Sequence, residues 1–406
     1  MGINGTAKLN CIENLAAEAS SYAPPIISIY DPTNSISTMI SNMMFLNSGS
    51  GAIQVNGSLS FQIENSSFQN NSINLFSNFT NGQGGGGGGA ISIINVRNNT
   101  FLNSNFSNNY VNGEEGEGGA ILIEYSSSNS NGDISSNSNS FTNCNFSNNY
   151  VNGEVGQGGA IYIGYSSSND KGDISSNSIF FTNCNFSNNY VHGTNGRGGG
   201  AIFIQYSSSN GNNISSNSNS FINCNFSNNY VNGVGGAIFI EYYSSNGNDI
   251  SFNSNSLSNC NFSNNYTDGT EVGGGAILIV YFDISSNISS NSNSFTNCNF
   301  SNNYVNEEGG QGGAIFIQYY SLISNGDISC NSNSFINCNF SNNYVEGING
   351  QGGAISIEYS SSLYNNGSIS YNSNSFINCN FSNNYVDGEF GQGEGGDHRC
   401  YRCLRR

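Results

Sequence analysis

One eight-residue tract, Asn-Cys-Asn-Phe-Ser-Asn-Asn-Tyr, returns along the chain with its cysteine at Cys144, Cys184, Cys224, Cys260, Cys298, Cys338 and Cys379. Successive gaps are 40, 40, 36, 38, 40 and 41 residues. A second tract, Gly-Ala-Ile, alternates with the first and has its alanine at Ala52, Ala90, Ala120, Ala160, Ala201, Ala237, Ala276, Ala314 and Ala354. Degenerate copies of the first tract run from Phe101 to Tyr110, with Ser104 in the cysteine position, and around Phe68. A period of this size marks a repeat architecture, in which each unit buries its apolar face only against its neighbours.

Asn, Ser and Gly dominate, so a disordered low-complexity chain is the competing reading. The 27 Phe and 23 Tyr oppose it, because they fall at fixed offsets within each repeat. Charge narrows the function. Lys plus Arg is 8 against 26 Asp plus Glu, a formal charge of -18. A nucleic-acid partner needs clustered cations, and an anionic membrane surface does too. With 52 Gly but 3 Pro and no three-residue period, collagen fails. No apolar run approaches the ~18 residues of a membrane span.

Within one unit, Gly118 to Gly158, Ile121, Ile123 and Tyr125 alternate with Leu122 and Glu124. That is the period of a strand with one buried face. Asp133-Ile134-Ser135 offers a second short strand, and Phe141, Cys144 and Phe146 supply further inward positions. Glycine-rich loops at 112–119 and 152–159 close successive units, their Gly-Gly pairs relieving crowding at a sharp bend. Asn143, Asn148 and Asn149 suit left-handed turn positions and can hydrogen-bond along a ladder. Nothing has helical spacing. The fold class is all-β, a single-stranded parallel β-helix or β-solenoid. Ala120 to Phe141 is 21 residues and Phe141 to Ala160 is 19, which predicts about two coils per ~40-residue repeat. Eighteen or so coils would make a rod of roughly 85 Å. The expected organisation is an N-terminal segment of weak early coils or cap at 1–49, the repeat domain at 50–396, and an atypical basic tail at 397–406.

That coil count places tract cysteines ~9.6 Å apart, beyond the ~7 Å limit for bridged Cα atoms. They are therefore expected to be small buried hydrophobes, with Cys330 an incidental replacement of serine. Asp133, Asp173, Asp249, Asp283 and Asp327 are expected to share one turn position, with Asn213 and Ser368 in other copies. At the same spacing they read as solvated turns, not a calcium ladder. His398, Cys400 and Cys403 in the tail make half a zinc site at most. A Gly-Ala-Ile tract was due there, and a reading-frame slip would explain its replacement.

Phe146-Ser147-Asn148-Asn149 followed by Gly158-Gly159-Ala160-Ile161, and Phe186-Ser187-Asn188-Asn189 followed by Gly199-Gly200-Ala201-Ile202, resemble the repeats of the polymorphic outer membrane protein family. The resemblance covers roughly Ser50 to Gly396. It implies a right-handed parallel β-helix displayed on cell surfaces and acting in adhesion and host contact, at the outer membrane if bacterial. Two departures stand out. No alternating ~10-residue barrel strands follow the array. Met1 to Pro25 has Lys8 but no apolar stretch of roughly 7–15 residues, so no signal peptide is expected.

β-Helices also house polysaccharide lyases and hydrolases, so enzymatic residues were sought. Basic groups in the array are Arg97, Lys171, Arg197 and His192, and none recurs in an acidic cluster. Glu114, Glu115 and Glu117 lie in a glycine loop and read as solvated turn charges. No catalytic, cofactor-binding or metal residue is assigned. The expected function is non-enzymatic interaction with protein or glycan partners, spread along exposed positions such as Leu122, Glu124, Tyr162 and Gln205, with a β-helix carbohydrate-active enzyme as the alternative. Asn145-Phe146-Ser147 and its copies are sequons, open to N-glycosylation in a eukaryotic secretory route.

Overall fold

The computed structural model describes residues 25–388 except 32, 75–86, 128–132, 169–171, 210–211, 246–248, 270–272, 285, 323–325 and 362–367. It describes 6–10, 15–16, 74, 194–195 and 403–404 as backbone alone. His398 and Cys400, of the tail that makes half a zinc site at most, lie outside the described residues.

Parallel strands stack into a β-solenoid with no helix among the described residues. A full turn contains Ile121–Ser126, Ile134–Ser135, Ser138–Thr142, Asn145–Ser147 and Tyr150–Asn152. Each strand pairs with its own copy one repeat away: Ile121 with Ile161, Phe141 with Phe181, Phe146 with Phe186 and Tyr150 with Tyr190. One ~40-residue repeat is therefore one coil, not two. The 19- and 21-residue halves are alike in length but not in content. Closing a coil at half the period would set Ile121 against Phe141 and break every like-on-like ladder.

Ile27, Ile53, Ile91, Ile121, Ile161, Ile202, Ile238, Ile277, Ile315 and Ile355 form one continuous column. At ~4.8 Å per rung this column spans about 43 Å, half the length expected from the sequence. Seven turns carry the short strand typified by Ile134–Ser135. Earlier turns lack it. Ile91–Leu102 runs as a single strand across that corner and pairs with both Ile121–Glu124 and Ser138–Thr142.

Ladders of identical side chains fill the coil. Phe45, Phe68, Phe106, Phe146, Phe186, Phe226, Phe262, Phe300, Phe340 and Phe381 stack with ring centroids 4.7–4.9 Å apart. Burying each ring contributes ~1.5–3 kcal/mol. Buried asparagines make a polar ladder beside them. Asn149 donates from Nδ2 to the Phe106 carbonyl (3.0 Å) and to Asn189 Oδ1 (3.0 Å), and its backbone N–H donates to the same oxygen (3.0 Å). Such complete pairing offsets the cost of burying an amide. Asn143 and Asn148 hold the left-handed turns at φ 54° and 55°. Asn149 is instead a ladder residue.

Two further expectations change with the coil count. The tract cysteines stack one per turn, as the Asn185 N–H to Cys144 carbonyl bond (3.0 Å) shows, so their spacing is ~4.8 Å and not ~9.6 Å. All are unbridged, and all but Cys379 are buried. The isoleucine strand also buries both faces. The glycine loop folds back over its outer side, covering Leu122, Tyr162, Phe203, Phe239, Leu278 and Phe316. Gly118, at φ +59°, permits this because a Cβ there would collide with the Ile121 carbonyl.

Candidate functional site

The outward residues of Ser138–Tyr150 follow from strand alternation. Asn139, Phe141, Cys144, Phe146 and Asn149 turn inward. Ser138, Ser140, Thr142, Asn145, Ser147 and Tyr150 are half-exposed, and the turn residues Asn143 and Asn148 are exposed. Copies at 98–110, 178–190, 218–230, 254–266, 292–304, 332–344 and 373–385 stack on it. None of these eight segments contains Asp, Glu, Lys or Arg. One side of the rod is thus a charge-free lattice of hydroxyls and amides interrupted by exposed Phe180, Ile222 and Ile377, with rungs ~4.8 Å apart.

Side chains on this side bond along the axis. Asn183 Nδ2 donates to Asn143 Oδ1 (3.1 Å), and Asn143 Nδ2 donates to Asn103 Oδ1 (3.0 Å). The sequon column does the same: Asn225 to Asn185 and Asn185 to Asn145, each 2.8 Å. Tyr110, Tyr150 and Tyr190 stack at 4.8–4.9 Å with near-parallel rings. Their faces cover one another, so the column presents edges and hydroxyls outward. Burial, followed by the neighbouring Tyr266, pushes the Tyr304 phenol up to about 12.

Carboxylates occupy the other side. Asp133, Asp173, Asn213, Asp249, Asn287, Asp327 and Ser368 form one column, in which each of the first six side chains accepts the backbone N–H of the next turn at 2.7–3.3 Å. Asp283 is not a member. It aligns with Ser244 and Ser321 and is buried, while Asn287 holds the expected position. These side chains cap neighbouring N–H groups, and among the described residues no three His, Cys, Asp or Glu converge as a metal site.

Of the four positions expected to be exposed, Leu122 and Tyr162 are buried and Glu124 and Gln205 half-buried. Leu122 belongs to the apolar cluster under the glycine loop, while Tyr162 and Gln205 bond into a polar cluster whose Gln–Glu bond recurs from Gln318 to Glu358. Tyr162 Oη donates to Gln205 Oε1 (2.9 Å), and Gln205 Nε2 donates to Glu241 Oε2 (2.8 Å). Arg197 Nη2 pairs with Glu241 Oε1 at 2.9 Å, with the Glu241 side chain only 4% exposed. Gly164 makes room, since a Cβ there would lie 2.7 Å from Tyr162 Oη. Glu124 stacks on Gly164 in the next turn, and Glu117 bridges to Gln157. Burial, then Glu124 and Glu115, push the Glu117 carboxyl up to about 8. Burial also raises Glu124. Glu117 is half-buried, whereas Glu114 and Glu115 are exposed. The pairing of Arg197 with Glu241 had one sequence signal, the rarity of a cation in the array.

Comparison with protein-family models, curated proteins and solved structures returned no match. No helix among the described residues is long and apolar enough to cross a membrane.

Proposed function

We propose that this chain is a non-enzymatic β-solenoid of the cell surface or extracellular space that works in adhesion, holding a neutral glycan or protein partner through its charge-free side. The observation that supports this is the segregation of charge: eight stacked thirteen-residue segments present uncharged hydroxyls, amides and aromatic edges, with Phe180, Ile222 and Ile377 exposed among them. Each rung offers the same weak contact, and linked weak contacts raise avidity ~100-fold or more. The acidic side discourages anionic polymers and membranes. The likeness of the Gly-Gly-Ala-Ile and Phe-Ser-Asn-Asn alternation to polymorphic outer membrane protein repeats agrees with a surface role.

The test compares cell and neutral-glycan binding by two triple variants. Ser140→Lys, Ser220→Lys and Ser294→Lys place charges two turns apart on the neutral side and should weaken binding at least tenfold. Glu114→Lys, Glu154→Lys and Glu308→Lys place the same charges in the glycine loops, off the eight segments, and should leave binding in place. The reverse pattern would defeat the proposal.

A carbohydrate-active enzyme is the second reading, favoured by the raised carboxyl of Glu117 beside Glu124, a pair suited to acid and base roles in glycoside hydrolysis. Polysaccharide turnover lost in Glu117→Gln would establish it. Binding without turnover would favour adhesion.

A further inference from the structure

Seven thiols stand in single file through the core: Cys144, Cys184, Cys224, Cys260, Cys298, Cys338 and Cys379. The first six are 1–2% exposed. Each sulfur donates to backbone carbonyls, as Cys184 does to Phe141 (3.5 Å) and Thr182 (3.4 Å). Successive cysteines stand one turn apart, because each Cys carbonyl accepts the N–H of the residue after the next cysteine, from Asn185 to Cys144 through to Asn380 to Cys338. The backbone role does not need sulfur, because Ser104 makes the same bond to Leu102 (2.8 Å) in an earlier turn. What cysteine adds is soft sulfur beside soft sulfur.

Two pair chemistries compete for such a column. A disulfide needs Cβ atoms ~3.5–4.5 Å apart and sulfurs at ~2.05 Å. The rungs lie ~4.8 Å apart. Bridging would pull neighbouring turns together against bonds on either side, such as Asn185 N–H to Cys144 carbonyl and Asn183 N–H to Ile222 carbonyl. A two-coordinate cation needs the opposite geometry. Two metal–sulfur bonds of roughly 2.3 Å set end to end span about 4.6 Å. That matches the rung spacing with almost no backbone movement.

We infer that adjacent tract cysteines form two-coordinate sites for a soft monovalent cation such as copper(I), lying between turns of the solenoid. Thiolate ligands select soft ions of this kind. At each site both thiols give up their protons and coordinate as thiolates. One cation enters and two protons leave, so each occupied site carries one net negative charge. The six fully buried cysteines make three such sites, for instance Cys144 with Cys184, Cys224 with Cys260, and Cys298 with Cys338. Two ligands suffice, so the lack of a three-residue cluster among the described residues is consistent with these sites.

Silver(I), which shares the linear preference, is the probe. The background is the full chain with Cys11, Cys330, Cys400 and Cys403 changed to serine, kept reduced. Two variants of it retain equal numbers of column thiols. Cys184→Ser with Cys260→Ser and Cys338→Ser leaves four thiols, no two adjacent. Cys144→Ser with Cys184→Ser and Cys224→Ser leaves four in a row. Serine already occupies this position at Ser104, and circular dichroism checks that both variants fold. Native mass spectrometry should find three silver ions on the background, two on the contiguous variant and none on the alternating one, each ion displacing two protons. Silver affinity should fall at least 100-fold in the alternating variant. Equal binding by the two variants, no binding by the folded background, or inter-turn disulfides in the protein as isolated would each overturn the inference.

Discussion

Asn228 and Asn229 are neighbours of identical chemistry with different structural work, which makes them a sharp test of the ladder account. Asn229 is buried. Its Oδ1 accepts the Asn189 backbone N–H (3.1 Å) and Asn189 Nδ2 (3.0 Å), while its Nδ2 donates to the Phe186 carbonyl (3.1 Å) and Asn265 Oδ1 (2.9 Å). Truncation to alanine strands the Asn189 N–H and one hydrogen of its amide away from water. Each stranded donor costs ~1–3 kcal/mol, so Asn229→Ala should cost about 2–5 kcal/mol. Asn228 is exposed at φ 54°, where its value is tolerance of the left-handed conformation. Asn228→Ala should cost about 1 kcal/mol and Asn228→Gly almost nothing. Urea unfolding gives the ranking. A solenoid can open locally, so hydrogen exchange at the Asn189 amide gives the site-specific reading. That amide should lose protection in Asn229→Ala and keep it in Asn228→Ala. Equal costs for the two alanine variants, or an Asn228→Gly variant as unstable as Asn229→Ala, would refute the reasoning.

Other outcomes follow from the same packing. Phe226 lies between the rings of Phe186 and Phe262 at 4.8 and 4.7 Å, so Phe226→Ala should cost ~3–5 kcal/mol. Phe180, 41% exposed, should cost less than ~1 kcal/mol in the same urea assay. Glu117 is raised from 4.5 to about 8, so the folded chain binds more protons than the unfolded one between those values. Stability should therefore fall as pH rises through that window, and Glu117→Gln should flatten the thermal-melt profile there. In an alkaline absorbance titration Tyr230 and Tyr304 should ionise near 12, while the buried Tyr165, Tyr206 and Tyr281 ionise only on unfolding. Ionisation of every tyrosine near 10 would contradict the stacked columns.

The repeat period and the strand alternation made the solenoid legible from residues alone. Phe141 and Phe146 read as inward, and they are. The coil count was misread because the two halves of a repeat have nearly equal lengths, and length carries no register. Register comes from what stacks on what: Ile121 on Ile161, with the Asn149 and Asn189 amides bonded between. Both cysteine spacing and aspartate spacing inherited that misreading. The burial of Leu122 and Tyr162 was hidden for another reason. A glycine-rich loop reads as open coil, and nothing local shows that it folds back as a lid. The charge-free side was in plain sight as a run without Asp, Glu, Lys or Arg, but only the one-coil register stacks its eight copies into a surface.

One distance decides the central claim. Asn148 and Asn342 occupy equivalent exposed turns, with Asn188, Asn228, Asn264 and Asn302 between them. Genetically encoded spin labels at these two sites, read by pulsed dipolar spectroscopy, should give about 24 Å, five rungs at ~4.8 Å. A separation near ~48 Å would mean ten rungs, two coils per repeat, and would contradict the account.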